Sequence, residues 1–141
     1  MSLTLKQANE IIAAALARGV ALKTAPLAVA VVDAGGHLLA FQRQDGSSNL
    51  RPQIAIAKAA GSLALGLPSR KIAEIASERP ALIASMASLS GGGVVPSPGG
   101  VIVLDRNGAP VGAVGVTGDT SDNDESCAVA GVMSVGLTVR D

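Results

Sequence analysis

Apolar positions in this chain switch between two periods, and each switch marks an element. Leu5, Ala8, Ile11, Ile12, Ala15 and Leu16 recur at helical spacing, forming one stripe on a 3.6-residue repeat. Thr4 and Gln7 precede it as a capping box, hydroxyl and amide side chain satisfying free N–H groups. A first helix is therefore expected from Thr4 to about Lys23, with Gly19 a mild flaw and Pro26 the exit. The period then shortens. Leu27–Val32 is an unbroken apolar run and reads as a strand buried on both faces. Asp33-Ala34-Gly35-Gly36 turns the chain, and His37–Arg43 returns as a second strand with partial alternation.

Asp45–Asn49 reads as a loop, and helical spacing resumes from Leu50 to about Leu65. Pro52 sits in the first turn, where its missing N–H costs nothing. Ile54, Ala57, Lys58, Gly61 and Leu65 fall near one face, and its small residues allow close approach of another element. Gly66-Leu67-Pro68 breaks this helix. Ser69 is expected to cap a third helix to about Ala76, and Pro80 to open a fourth to about Ser88.

The stretch Gly91–Glu125 is glycine-rich and then acidic. Its apolar runs, Val101–Leu104 and Val111–Val116, are joined by Arg106-Asn107-Gly108-Ala109, a strong hairpin signal. A last helix is expected from about Asp122 to Leu137, capped by Ser121, with Asp122, Asp124 and Glu125 in its positive first turn. The order α-β-β-α-α-α-β-β-α predicts one α+β domain over residues 1–141: an antiparallel sheet of hairpins covered by helices.

Composition narrows the core and excludes some functions. The chain is 48% hydrophobic with one Phe, no Tyr and no Trp, so its core is built from Ala, Val, Leu and Ile. Charged residues make up only 16%, which leads us to expect apolar surface covered by copies of the chain, a homo-oligomer. The formal net charge is +0 and there is no basic run, which argues against a nucleic-acid partner. No apolar run is long enough to span a membrane. MSLTLKQANE has neither the basic start nor the apolar core of a secretion signal. With a single cysteine as well, a reducing cytoplasm is the expected location.

Four segments carry a resemblance: VVDAGGHLLAFQRQDG (Val31–Gly46), AIAKAAGSLALGLPS (Ala55–Ser69), GGGVVP (Gly91–Pro96) and VGAVGVTGDTSDNDESCAVAG (Val111–Gly131). In this order they resemble the GlcG/HbpS-like family of haem-degrading proteins, which includes the C-terminal domain of PduO-type proteins. The resemblance spans nearly the whole chain. It implies a profilin-like fold, an antiparallel sheet of about five strands flanked by helices, the fifth expected near Val94–Pro96. It also implies a homo-oligomer and, for some members, haem. Many members are encoded beside catabolic enzymes, and the best-studied branch is extracellular, which the absent secretion signal sets apart from this chain. Such a likeness constrains fold better than function.

Candidate chemistry is sparse. His37, the only histidine, can ligate haem iron or move protons; the alternative is a solvated hairpin residue. Arg51 at a helix start and Lys58 on a small-residue face are candidate anion holders, with Arg43 a further cation; surface salt bridges are the alternative. A buried Lys58 needs either an internal partner or an anionic ligand. Gly92 and Gly93 are expected to offer backbone N–H groups to a ligand, as are Gly115–Gly118, mostly on the strength of the family likeness. Asp119 and Glu125 are the carboxylates that capping explains least, and so are candidate acid–base groups. Cys127 reads as a small buried side chain, and Met86 and Met133 as core. These residues frame two readings: a cytoplasmic small-molecule binder holding haem, accessory to a catabolic pathway, or an enzyme of proton transfer, hydration or elimination on a small oxygenated acid. Either pocket is expected between subunits, walled by Gly91–Pro96, the Gly115–Asp119 turn and the start of the last helix.

Overall fold

A computed structural model describes residues 1–91 and 93–141; Gly92, one of the candidate ligand-binding glycines, lies outside them. The elements are α1 (Leu5–Leu22), β1 (Ala28–Asp33), β2 (Leu38–Arg43), α2 (Arg51–Leu65), α3 (Ser69–Glu78), α4 (Pro80–Leu89), β3 (Gly100–Leu104), β4 (Pro110–Thr117), α5 (Ser121–Ser134) and β5 (Thr138–Val139). The strands form one sheet in the order β2-β1-β4-β3-β5, and every neighbouring pair is antiparallel. The α+β sheet flanked by helices agrees with expectation.

Central β1 shows why the chain folds this way. Its alternate residues serve opposite faces. Val29 and Val31 join Ile11, Ile12, Val114, Val116 and Val132 in the larger core, under α1 and α5. Ala28 and Ala30 pack with Ala55, and Val32 with Ala59 and Ala113, under α2. One side of the sheet thus carries bulky branched residues and the other mostly alanine, which lets α2 lie much closer. Strand glycines complete that seat. A Cβ at Gly115 would stand 2.0 Å from the Ala55 carbonyl oxygen, and one at Gly100 would stand 2.2 Å from that of Lys58.

The Thr4–Gln7 capping box forms in both directions, each bond 3.1 Å. Gly19 is not a flaw: a side chain there would meet Leu27 Cδ1 at 2.7 Å, so the glycine makes room for core packing. The β3–β4 turn is held by Asp105, whose Oδ1 accepts the N–H groups of Asn107 and Ala109 at 2.8 and 3.0 Å.

Five expectations need correction. The fifth strand is β5 beside β3, not Val94–Pro96, which form no strand. The last helix ends at Ser134, and Gly136 (φ 76°) turns the chain back so that Thr138–Val139 can pair. Its N-cap is Thr120, which accepts from the Asn123 N–H. Ser69 is not a cap either: Pro68 holds that position, and the buried Ser69 hydroxyl accepts from the Gly100 N–H at 2.7 Å. Met133 is exposed rather than in the core.

Candidate functional site

The β1–β2 turn builds the site from its own backbone. Asp33 ends β1, and its Oδ1 accepts the N–H groups of Gly35 and His37, both at 2.9 Å. An aspartate bonding to backbone two residues on is a usual turn device. Here it returns the chain so that His37 Nδ1 stands 3.2 Å from the same carboxylate oxygen. These bonds hold the Asp33 carboxyl below the usual carboxylate range, the His37 N–H foremost, with desolvation opposing. Gly35 gives the imidazole its place: a Cβ would meet His37 Cε1 and Nδ1 at 2.9 Å.

His37 borders a cleft of about 490 Å³ between the turn, the middle of α2 and the chain leaving α4. Ala60, Leu63 and Ala64 contribute from α2, Ser90 and Gly91 from the far side. The side chains lining it are small and apolar apart from Ser90 and the imidazole, and exposed backbone makes much of the remaining surface polar. Three segments distant in sequence therefore meet: the turn, α2 and the start of the glycine-rich loop.

The other candidates lie elsewhere. Gly93 (φ 83°) rests on α2, where a Cβ would touch Ala57 Cβ at 3.4 Å, and it is not among the cleft-lining residues. Lys58 is 3% exposed, and its ammonium donates to the carbonyls of Pro98 and Val116, both at 2.9 Å, and to Asp124 Oδ2 at 3.3 Å. All three donors are thereby satisfied within the chain. Of the two needs considered for a buried lysine, the internal partner is the one met. Asp124 is correspondingly more than a complement to the helix dipole: it is a buried counter-ion that also accepts the Asp119 N–H. Burial pushes the Lys58 ammonium down and the Asp124 carboxyl up, with their mutual attraction opposing both shifts.

Arg51 donates to the buried Thr117 hydroxyl at 2.7 Å, and Arg43 lines a separate groove of about 520 Å³ with Leu16, Pro26 and Asp45. Asp119 accepts from the Ala25 N–H and from Asn123 Nδ2 at 2.9 and 2.8 Å. Those bonds, that of Ala25 first, hold its carboxyl below the usual range. Both Glu125 oxygens stand 3.0 Å from Arg70 Nε, and Arg70 Nη2 donates to Asp122, tying α3 to α5. Cys127 is buried, and desolvation pushes its thiol up to about 11. Gly115 lies beneath α2, and a side chain at Gly118 would strike the Pro26 carbonyl, so both glycines serve packing. No group of three or more His, Cys, Asp or Glu suited to a metal ion occurs among the described residues. No helix among them is long and apolar enough to cross a membrane. The residues that sequence reasoning overlooked are Asp33 and the α2 alanines; the signal for Asp33 was present, as an Asp four positions before the histidine across a glycine turn.

The fold and the cleft together define a class: a small α+β domain whose antiparallel sheet carries one histidine at a hairpin end, facing a helix of small residues. The chain belongs to the family described as haem degrading protein HbpS-like, whose model matches residues 3–133. A double-mutant form of HbpS from Streptomyces reticuli is 30% identical, with a TM-score of 0.82 over 96% of this chain and 88% of that one. The structure of a PduOC–haem complex superposes with a TM-score of 0.87 over 100% of both chains, at 22% identity. Protein ORFY of Klebsiella pneumoniae gives 0.83 at 24% identity, over 95% of this chain and 90% of that one. The last two establish likeness of fold alone. A search of the curated proteins finds no match.

Proposed function

We propose that the protein binds haem or a related tetrapyrrole in the cleft beside His37, with the imidazole as iron ligand. The observation that carries this reading is the imidazole itself: it borders a cleft of small side chains with Nδ1 3.2 Å from Asp33 Oδ1 and Nε2 unbonded to any described residue. Support also comes from the family and from the PduOC–haem complex, a protein of the same fold. The lining suits the group in two respects. Ala60, Leu63, Ala64 and the glycines offer an apolar wall without bulky side chains to displace, and a neutral imidazole nitrogen is an established iron ligand. None of the described cleft residues is a cation, so Arg51 and Lys58 are not offered as partners for the propionates. When bound, haem supplies a redox-active, Lewis-acidic iron; the chain's own part is to hold it, shield one side and present the imidazole.

The finer picture is a cytoplasmic homo-oligomer that accompanies a catabolic pathway. Self-association is supported by α4: PALIASMASL carries no charge, packs within the chain chiefly on α3, and leaves Leu89 87% exposed. Such a helix is at odds with free solvent unless another chain covers it. Light scattering is expected to give a multimer mass, reduced by Leu89→Glu; a monomer at micromolar concentration would refute that part.

The enzyme reading, with proton transfer by Asp119, Glu125 or His37, has less behind it. Asp119 is committed to two hydrogen bonds and Glu125 to Arg70, and neither shares the cleft with His37. Haemin titration tests the binder reading. The wild-type protein is expected to develop a Soret band at stoichiometric haemin and His37→Ala to lose most of the affinity; unchanged binding by His37→Ala would remove the ligand role.

A further inference from the structure

Resting on the reading of His37 as iron ligand, we infer that Asp33 is the positioning residue for that ligand: its carboxylate accepts the Nδ1–H hydrogen, which fixes the imidazole tautomer with Nε2 bare and strengthens Nε2 as a donor. Three observations support this. First, Asp33 Oδ1 is itself held, because the Gly35 and His37 N–H groups both donate to it at 2.9 Å. The oxygen therefore stays in place whatever the imidazole does, and a fixed acceptor can orient a mobile ring. Second, Gly35 is not a glycine for backbone reasons. Its φ lies outside the left-handed region that Gly36 (φ 82°) occupies. What a side chain there would meet is the His37 ring, at 2.9 Å from both Cε1 and Nδ1. Gly35 thus clears the position in which the ring reaches Asp33. Third, the pair contributes little to folding. The His37 side chain is 82% exposed and that of Asp33 39%, and ion pairs so exposed add little to stability. A side-chain contact that adds so little stability, on an oxygen the turn already holds and beside a glycine that clears the ring's place, is better explained by orientation.

The chemistry follows from imidazole. A neutral ring carries one proton, and an anionic acceptor at Nδ1 draws the proton there, leaving the Nε2 lone pair free. The partial negative charge passed to the ring raises its donor strength, and losing such a carboxylate usually weakens metal binding about 10- to 100-fold. Arg43, Arg51 and Lys58 have no part in this, since none of them lines the cleft.

The test uses the full chain and haemin, with wild type, Asp33→Asn, Gly35→Ala and His37→Ala compared. Asn at position 33 retains an oxygen for the two backbone N–H groups, so the turn survives while the charge is removed; unchanged circular dichroism and melting temperature check this. Asp33→Asn is expected to bind haemin about 10- to 100-fold more weakly, and its bound haem to have a more positive reduction potential. Gly35→Ala, which pushes the ring off Asp33, should move both quantities the same way. A readout without haem accompanies these: the nitrogen NMR spectrum of His37 at about pH 8.5, above the ordinary imidazole range. Wild type is expected as the Nδ1–H tautomer, and Asp33→Asn as a mixture richer in Nε2–H. If His37→Ala loses haem while Asp33→Asn and Gly35→Ala keep wild-type affinity, potential and tautomer, the inference fails and the ligand reading stands. If wild type takes up no haemin, or His37→Ala binds as wild type does, the ligand reading fails and takes the inference with it.

Discussion

Two carboxylate–base pairs sit on the two ends of this sheet, and they are opposites. Lys58 and Asp124 are each 3% exposed, and every donor of the ammonium is satisfied inside the chain. Asp33 and His37 lie at a hairpin end, 39% and 82% exposed, with one imidazole nitrogen unbonded to the described residues. The buried pair joins α2, the approach to β3, the end of β4 and the start of α5, four places no single backbone ladder connects. It contributes to the fold and leaves nothing for a ligand. In the exposed pair Asp33 holds its own turn through backbone bonds, but its contact with the imidazole adds little to the fold and leaves one ring nitrogen unbonded to the described residues. Burial and unused bonding capacity, rather than charge, separate a cluster spent on the fold from one that leaves an atom open to a ligand.

The sharpest way to break that contrast is to remove one partner of each pair. Asp124→Ala leaves a buried ammonium with no counter-ion, which costs about 3–5 kcal/mol. Urea unfolding at fixed protein concentration is expected to show that loss, whereas Asp33→Asn should leave the unfolding midpoint close to that of wild type. Lys58→Met combined with Asp124→Leu should lose less than the two single changes summed, because no charge is stranded. Equal losses for Asp124→Ala and Asp33→Asn would show that the two pairs do not differ as described.

The next effect tests the seat of α2, which holds Lys58 and the cleft alike. Gly115→Ala places a methyl 2.0 Å from the Ala55 carbonyl oxygen. Backbone cannot swing aside there, so a loss of about 1–3 kcal/mol or more is expected by thermal melting. Gly91→Ala is its counterpart beside the cleft. Nothing lies within 4 Å of a Cβ at that position, so stability should stay within about 0.5 kcal/mol of wild type. A large loss there would mean that the glycine-rich loop is under structural constraint rather than simply small beside the cleft.

Much of the fold is legible in the sequence because its signals are local. The Thr4–Gln7 box, the unbroken run Leu27–Val32 and the Asp105–Ala109 turn each form from neighbours in the chain. β5 escapes because two residues have no period; only pairing with β3 makes them a strand. The site divides in the same way. His37 is conspicuous as the only histidine, and its turn is local, so the Asp33 contact follows from spacing. Lys58 and Asp124 lie 66 positions apart, and a carboxylate in a helix's first turn already has an adequate reason to be there. That sufficiency hid its second role. Arg51, Asp119 and Glu125 were singled out by residue type, and the fold gives each a partner inside the chain.

A smaller effect concerns Cys127, below α5's acidic start. Its thiol is pushed from 9.0 to about 11 by burial first and by Asp124 second. A folded pKa above the unfolded one means the contribution to stability is full below pH 9 and lost as pH rises toward about 11. Wild type and Cys127→Val should therefore differ in melting temperature by an amount that changes across that window. At neutral pH the native thiol should resist alkylating reagents until the protein unfolds. Prompt labelling of native protein would contradict its burial.

The central claim is that the exposed pair, and not the buried one, serves a ligand. Haemin titration of wild type and His37→Ala, followed at the Soret band alongside an unchanged melting temperature, tests it most directly. The account predicts stoichiometric uptake by wild type and loss of most of that affinity in a fully folded His37→Ala. Equal uptake by both proteins, or none by wild type, would contradict it.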